Sequence, residues 1–117
     1  MNHKRGRLYE QAAIDYLKSK GYRIIETNYR YGRHEIDIIC TFNDELIFVE
    51  VKGGSSFAFG DPVYRVDQRK QRAIIEVAQG YLIQSTKSYT SYRFDVVVVK
   101  DRKLKREFEH FENAFTL

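Results

Sequence analysis

Two apolar runs separated by Asn43-Asp44 constrain the fold of this chain most strongly. The stretch from Glu35 to Lys52 reads EIDIICTFNDELIFVEVK, and β-branched and aromatic runs on both sides of a polar pair are typical of a β-hairpin. A two-residue loop sets the register of such a hairpin. Asp37 is then predicted to face Glu50 directly, with Cβ atoms about 5 Å apart.

Strand alternation assigns the polar side chains of both strands to one face of the hairpin. On the first strand Asp37 projects with Glu35 and Ile39, and on the second Glu50 projects with Lys52. The residues predicted on the opposite face are Ile36, Ile38 and Cys40. One extra residue in the loop would shift the register and place Val51 opposite Asp37, so the arrangement depends on the turn.

Two interpretations of the opposed carboxylates remain open at this point. Opposed carboxylates repel unless a proton or a divalent cation neutralises them, and Mg²⁺ typically binds one or two carboxylates and keeps several waters. A neighbouring Lys52 would then suit hydrolysis of a phosphodiester. In the alternative, Glu50 and Lys52 form a solvated strand edge, with Lys52 paired to Glu35. The apolar surroundings of the triplet in LIFVEVK favour the metal site.

The remaining chain predicts a mixed α/β architecture. A helical pattern covers residues 6–20, a strand follows over 22–31, and Asp67 is predicted to cap a helix that ends near residue 84. Residues 93–100 form a near-continuous apolar strand of the kind that is buried centrally, whereas 104–115 fit a helix or a strand. The predicted fold is a mixed central sheet flanked by helices, with antiparallel hairpin strands and a crossover helix to a further strand.

Composition sets the broad class of protein. The 117 residues are 43% apolar and 31% charged, which predicts a single globular domain over residues 1–117. The sequence has no apolar run of roughly 20 residues and no secretory signal, so we expect no membrane association. The single cysteine, Cys40, excludes an internal disulfide and favours the cytoplasm. The formal charge of +4 does not by itself indicate a polyanionic partner.

Basic residues near the acidic pair and on the second helix are the candidates for nucleic-acid contacts. They are Arg30, Arg33, Arg65, Arg69, Lys70 and Arg72. Phosphate contacts of this kind do not depend on base identity, and a solvated helix face is the alternative for the four in the second helix. Tyr29 and Tyr31 alternate with the first two arginines, where packing is favoured over stacking on bases.

Other polar residues point to structural roles. The three histidines, His3, His34 and His110, lack the spacing of zinc ligands. Cys40 is predicted to lie in the core. Asp95, in the apolar stretch RFDVVVV, is predicted to make a structural hydrogen bond.

The motifs of the chain resemble a known superfamily. "EIDII" followed by "LIFVEVK" resembles the PD-(D/E)xK nucleases, which have the restriction-endonuclease-like fold. The resemblance extends to the YraN-type family of predicted endonucleases, which is related to archaeal Holliday-junction resolvases. This resemblance covers nearly the whole chain, and its motifs occur in the family's order. They are YEQAAIDYLKSKGYRIIETNYRYGRHEIDII, FVEVK, FGDPVYRV, a basic helix ending in AQGYL, and RFDVVVV.

The resemblance implies a catalytic site that uses Mg²⁺ or Mn²⁺. Asp37 matches the first metal-binding carboxylate, and Glu50 and Lys52 match the E-x-K element. The backbone carbonyl of Val51 would be a further metal ligand. Glu10 matches a glutamate that binds metal or water, although a first-turn glutamate favoured by the helix dipole explains it nearly as well from the residues alone.

Three functions follow as expectations. The first is a metal-dependent endonuclease that hydrolyses DNA, with branched or damaged DNA among its substrates. The second is a nucleic-acid-binding protein of the same fold with little or no cleavage activity, and the third is a structural protein whose acidic pair is merely hydrated. Resolvase-like relatives favour a homodimer, because symmetric cutting of two strands suits a two-fold axis.

The sequence also departs from the family pattern. The family commonly has glycine where this chain has Tyr9 and His34, and it often has threonine and arginine where this chain has Gly53-Gly54. None of these departures removes a predicted metal ligand.

Overall fold

The computed structural model describes residues 3–54 and 66–116, with side chains from residue 6 onward. The elements, in chain order, are α1 (His3–Ser19), β1 (Arg23–Tyr31), β2 (His34–Phe42), β3 (Glu45–Gly54), α2 (Gln68–Gln84), β4 (Ser91–Asp101) and β5 (Arg106–Phe115).

The strands form one mixed sheet in the order β1-β2-β3-β4-β5. Neighbouring strands are antiparallel except β3 and β4, which are parallel and are connected through α2. The predicted α/β architecture, with an antiparallel hairpin and a crossover helix, is confirmed. The end of the chain, for which the sequence allowed a helix or a strand, is a strand, β5. Phe111 and Phe115 are four residues apart, and this spacing places two side chains on one face of either element.

The β2–β3 hairpin has the predicted register. Phe42 pairs with Glu45, and the pairing continues without a shift to Ile38 and Val49. Asn43 and Asp44 have φ angles of 52° and 63°, as a two-residue type I′ turn requires at both central positions. The turn chemistry therefore sets the register, as expected from the sequence.

One helix covers each face of the sheet. The cluster under α1 includes Ala13, Leu17, Ile38, Val49 and Val97, and the cluster under α2 includes Ile39, Phe48, Ile74, Val77 and Val96. The β4 valines alternate between these two clusters, which explains their continuous run. Cys40 is fully buried under α1, so its core assignment is confirmed.

Ile36 departs from the predicted alternation. It was expected on the face of Ile38, but it packs in the α2 cluster with Ile39. The neighbouring strand is distorted here: Asn28 has a φ of 51°, and the Asn28–Asp37 pair is missing between the pairs on either side of it. Strict alternation therefore fails at this point of β2.

The tyrosines of β1 pack against α2. The ring of Tyr29 meets that of Tyr81 edge-on, with centroids 5.1 Å apart, and its hydroxyl donates to Oε1 of Gln84 over 2.9 Å. The ring of Tyr31 covers Gly80 so closely that an added Cβ would lie 2.5 Å from it. The predicted packing roles are confirmed.

Asp95 is the centre of a buried polar cluster under α1. Arg93 donates from Nε to both of its carboxylate oxygens, at 3.0 and 3.1 Å, and the backbone N–H of Asn113 donates over 3.1 Å. Nε2 of His110 lies 2.7 Å from Oδ2 of Asp95, and Arg93 also donates to the hydroxyl of Tyr22. The predicted structural hydrogen bond of Asp95 is confirmed.

Neither helix in the described parts of the chain is both long and apolar enough to cross a membrane.

Candidate metal site at the β2–β3 fork

The β2–β3 ladder opens one step before the predicted Asp37–Glu50 pair. The last paired residues are Ile38 and Val49, and Asp37 then accepts a 2.8 Å hydrogen bond at Oδ2 from the backbone N–H of Val51. The expectation that the two carboxylates face each other across a regular ladder was therefore wrong. The side chain of Asp37 replaces a backbone acceptor and holds the strands in a fork.

Burial at this fork opposes ionisation of both carboxyl groups. Burial raises the pKa of Asp37 to about 8, helped by the Glu50 carboxylate, while the Val51 hydrogen bond acts in the opposite direction. Burial likewise raises the pKa of Glu50, and Lys70 opposes this shift. A proton on Asp37 therefore relieves the repulsion at neutral pH.

Glu50 is buried and incompletely satisfied. Only 8% of the residue is exposed, and its Oε1 atom is buried without a hydrogen-bond partner in the part of the chain that the structure describes. A solvated strand edge is thus wrong for Glu50. That alternative also paired Lys52 with Glu35. Oε2 of Glu35 instead lies 3.6 Å from Nη2 of Arg30. A buried carboxylate oxygen without a donor is a costly group unless something binds it.

A cleft with a volume of about 700 Å³ lies between the end of β3 and the start of α2. Its lining residues are Glu50, Val51, Lys52, Val66, Asp67, Gln68, Lys70 and Gln71. Lys52 lowers the pKa of Glu50 through its charge, which places it near that carboxylate. Lys70 reaches the same carboxylate from α2, with Nζ 3.6 Å from Oε2.

Helix α2 is held at this cleft by its N-cap. Asp67 precedes the helix in extended conformation, and its Oδ1 accepts a 2.9 Å hydrogen bond from the backbone N–H of Lys70. The predicted cap is confirmed, and it fixes the backbone from which Lys70 extends toward Glu50.

Glu10 approaches the pair from α1. Its Oε1 accepts a 2.8 Å hydrogen bond from Nδ2 of Asn28, and its charge contributes to the raised pKa of Asp37. Sequence reasoning did not identify Asn28. The available signal was an asparagine inside a strand, where this residue is depleted and often marks positive φ.

The donor set at the fork suits a divalent cation. Asp37 and Glu50 supply carboxylate oxygens, one of which has no hydrogen-bond partner among the described residues, and the Val51 backbone lies beside them, with its N–H bonded to Asp37. No group of three His, Cys, Asp or Glu side chains in residues 6–54 and 66–116 could hold a metal ion. Glu10 therefore lies near the pair without completing a three-carboxylate cluster.

The described residues that were predicted to contact nucleic acid lie around this end of the sheet. Arg33 is exposed in the β1–β2 turn, and the side chain of Arg30 is 68% exposed beside Glu35. Arg69 and Arg72 are exposed in the first turns of α2, next to the cleft. Arg65 lies outside the described residues, as does the side chain of His3.

Tyr9 and Gly53, two of the positions at which the sequence departs from the expected family pattern, are in direct steric contact. The ring of Tyr9 lies against Gly53, where an added Cβ would be 2.2 Å from the ring Cγ. A side chain at position 53 and the ring at position 9 cannot occupy this space together. The glycine after the E-x-K lysine is therefore required by the tyrosine before Glu10.

A mixed sheet between two helices, with a buried and a partly buried carboxylate at the fork of its hairpin, defines an α/β protein with a candidate cation site. The profile of the family described as "Uncharacterised protein family UPF0102" matches residues 9–99, and the chain belongs to this family. The matched range includes Glu10, Asp37, Glu50 and Lys52. Membership confirms the resemblance to YraN-type proteins at the level of the family.

Relatives cover the whole chain. The UPF0102 protein of Alkaliphilus oremlandii is 47% identical over 117 residues, which are 98% of this chain and 100% of the relative. That of Clostridioides difficile is 44% identical over 114 residues, 97% of this chain and 98% of the relative. That of Natranaerobius thermophilus is 43% identical over 120 residues, 98% and 100% of the two chains.

Proposed function

We propose that this protein is a divalent-metal-dependent endonuclease that binds DNA and hydrolyses its phosphodiester bonds, in the manner of the PD-(D/E)xK nucleases it resembles. The observation that carries the proposal is the pair of Asp37, partly buried, and Glu50, buried, beside Lys52, in which one oxygen of Glu50 has no hydrogen-bond partner among the described residues. Branched or damaged DNA is the favoured substrate class by resemblance to the resolvases.

The acidic pair is the reason for proposing a cation. The buried carboxyl group of Glu50 and the partly buried one of Asp37 repel each other when both are ionised, and this repulsion ends when a proton or a dication binds. Asp37 and Glu50 would hold Mg²⁺ or Mn²⁺ with the Val51 carbonyl, and Glu10 would orient a water nearby. When bound, such a metal withdraws charge from the phosphate and acidifies water.

Lys52 would act on the reacting phosphate. It projects into the same cleft as Glu50, where a point charge stabilises a developing anion or orients the attacking water. Arg30, Arg33, Arg69 and Arg72 would hold the DNA backbone around the cleft, together with Arg65. These phosphate contacts would be independent of base sequence and sensitive to salt.

In a homodimer two such sites would be related by a two-fold axis, and this arrangement suits the cutting of both strands of a branched substrate. Gel filtration with light scattering, with and without a four-way DNA junction, measures this state directly.

The decisive experiment is a cleavage panel with branched and linear DNA in Mn²⁺, in Mg²⁺ and in a chelator. We expect cleavage only with metal, and its loss in Asp37→Ala and in Lys52→Ala. Lys103→Ala removes an equal charge from an exposed position in the β4–β5 turn and should leave cleavage unchanged. Cleavage that survives both site substitutions would exclude the proposed site.

A DNA-binding protein without cleavage activity is the second candidate, favoured by the exposed arginines around the cleft. A salt titration of binding tests it, because each phosphate contact contributes a slope of about −0.9 in log K against log salt for duplex DNA. Binding with such a slope and no cleavage in any metal would select this candidate. Absence of affinity even at low salt would select a structural role.

A further inference from the structure

We propose that Lys70 is the resident counter-ion of the acidic pair, and that it must leave Glu50 before a metal ion binds. On this proposal Lys70 sets the metal affinity of the site, in addition to any contact with DNA. The inference rests on the proposed function, since it assumes that the fork binds a divalent cation.

The first support is the position of the ammonium group. Nζ of Lys70 lies 3.6 Å from Oε2 of Glu50, while the other oxygen of the same carboxylate has no hydrogen-bond partner within the described ranges. The ammonium therefore lies next to the oxygens that a metal ion would use. Its charge acts on Asp37 as well as on Glu50, so it serves both members of the pair.

The second support is the unequal burial of the two partners. The side chain of Lys70 is 54% exposed, whereas that of Glu50 is 10% exposed. The backbone of Lys70 is fixed by its hydrogen bond to the Asp67 cap, but a lysine stem can rotate its head group into solvent. The lysine can leave the site without a change of fold, and the glutamate cannot.

Electrostatics gives the direction of the effect. A dication at the fork would be repelled by the Lys70 ammonium about twice as strongly as a proton bound to the same carboxylates. Removal of the charge therefore favours the metal over the proton. We expect variants that lack this charge to bind metal roughly tenfold more tightly. The effect is not larger, because the Lys70 side chain is half exposed and solvent partly screens its charge.

The experiment is calorimetric titration of the full chain with Mn²⁺ alone at pH 7. The variants are Lys70→Met, Lys70→Gln as a second neutral side chain, Lys70→Arg, and Asp37→Asn as a site control. Arg69→Ala is the matched control, because it removes the same charge from the adjacent exposed position of the same helix turn.

The expected result is tighter Mn²⁺ binding by both neutral variants, with Lys70→Arg and Arg69→Ala within about twofold of the parent. Thermal melts add a second readout. In chelator both neutral variants should melt a few degrees lower than the parent, because the pair loses its counter-ion, and Mn²⁺ should remove the difference.

Two failures would be distinguishable. If the parent binds Mn²⁺ and Asp37→Asn does not, but the neutral Lys70 variants bind as the parent does, the role of Lys70 is excluded and the metal site stands. If the parent binds no more Mn²⁺ than Asp37→Asn, the metal site itself is excluded. Equal gains in Arg69→Ala and Lys70→Met would show a general field effect and would also exclude the specific role of Lys70.

Discussion

The backbone N–H of Val51 donates a 2.8 Å hydrogen bond to Oδ2 of Asp37 at the point where β2 and β3 separate. This contact holds the carboxylate at the fork, where the charge of Glu50 helps to raise the pKa of Asp37. It also means that a neutral amide could take the place of the carboxylate, because its oxygen can accept the same bond.

Asp37→Asn should stabilise the protein in the absence of metal, by an amount that grows with pH. Because the pKa of Asp37 rises from 3.8 to about 8 on folding, the native state binds the extra proton, and stability is lost as the pH rises between these values. We expect a gain of about 1–3 kcal/mol at pH 8 and little at pH 4. Urea unfolding in chelator across this range measures it.

Asp15→Asn is the control for that substitution, since Asp15 is exposed on α1. Its effect should not vary with pH in the same manner. A loss of stability in Asp37→Asn at pH 8 would contradict the raised pKa of the buried carboxyl.

Metal binding at pH 7 should release about one proton per site, because a cation must displace the proton held by Asp37. Titration with Mn²⁺ in buffers of different ionisation enthalpy gives the number directly. Binding enthalpies that do not depend on the buffer would argue that Asp37 is already ionised or does not take part.

Asn28 and Glu10 should be energetically coupled. Asn28→Ala removes the 2.8 Å hydrogen bond and keeps a β-carbon at a φ of 51°, a conformation that asparagine tolerates better than alanine, whereas Asn28→Gly removes the hydrogen bond and relieves the backbone strain. We expect Asn28→Ala to cost about 1–2 kcal/mol and Asn28→Gly less than that. A double-mutant cycle with Glu10→Gln should give a coupling of about 0.5–1.5 kcal/mol. Additive effects would show that the contact carries no energy.

Gly53→Ala should destabilise the fold through Tyr9. An added Cβ would lie 2.2 Å from the ring Cγ, so overpacking should cost about 1–3 kcal/mol. Tyr9→Ala alone leaves a cavity and should cost about 2–4 kcal/mol. The double variant should lose less than the sum, and denaturant unfolding of the three proteins measures the difference. Strict additivity would mean that the strand moves to accept the methyl group.

Asp95→Asn should cost about 3–5 kcal/mol, because it removes the fully buried carboxylate from Arg93 and leaves the guanidinium with Glu45 and Glu112, whose side chains reach solvent. Glu112→Gln is the comparison, since Glu112 is an exposed partner of the same arginine at 3.5 Å and should matter by less than about 0.5 kcal/mol. Thermal melts of the two variants test the difference. Similar effects would mean that the buried cluster contributes little to stability.

Local patterns in the sequence determined much of the architecture. The asparagine-aspartate turn set the hairpin register, Asp67 capped α2, and the valine run of β4 indicated a strand buried on both faces. These predictions held because turn geometry, capping and side-chain periodicity depend on residues close together in the chain.

Only the tertiary structure decided how the candidate site is built. The contacts Asn28–Glu10, Lys70–Glu50 and Tyr9–Gly53 join residues from different elements, and no local pattern encodes them. The opening of the β2–β3 ladder at Asp37 likewise depends on what packs around it. Burial and the distance between charges determine whether a carboxylate binds a proton, a lysine or a metal, and both quantities exist only once distant parts of the chain have packed together.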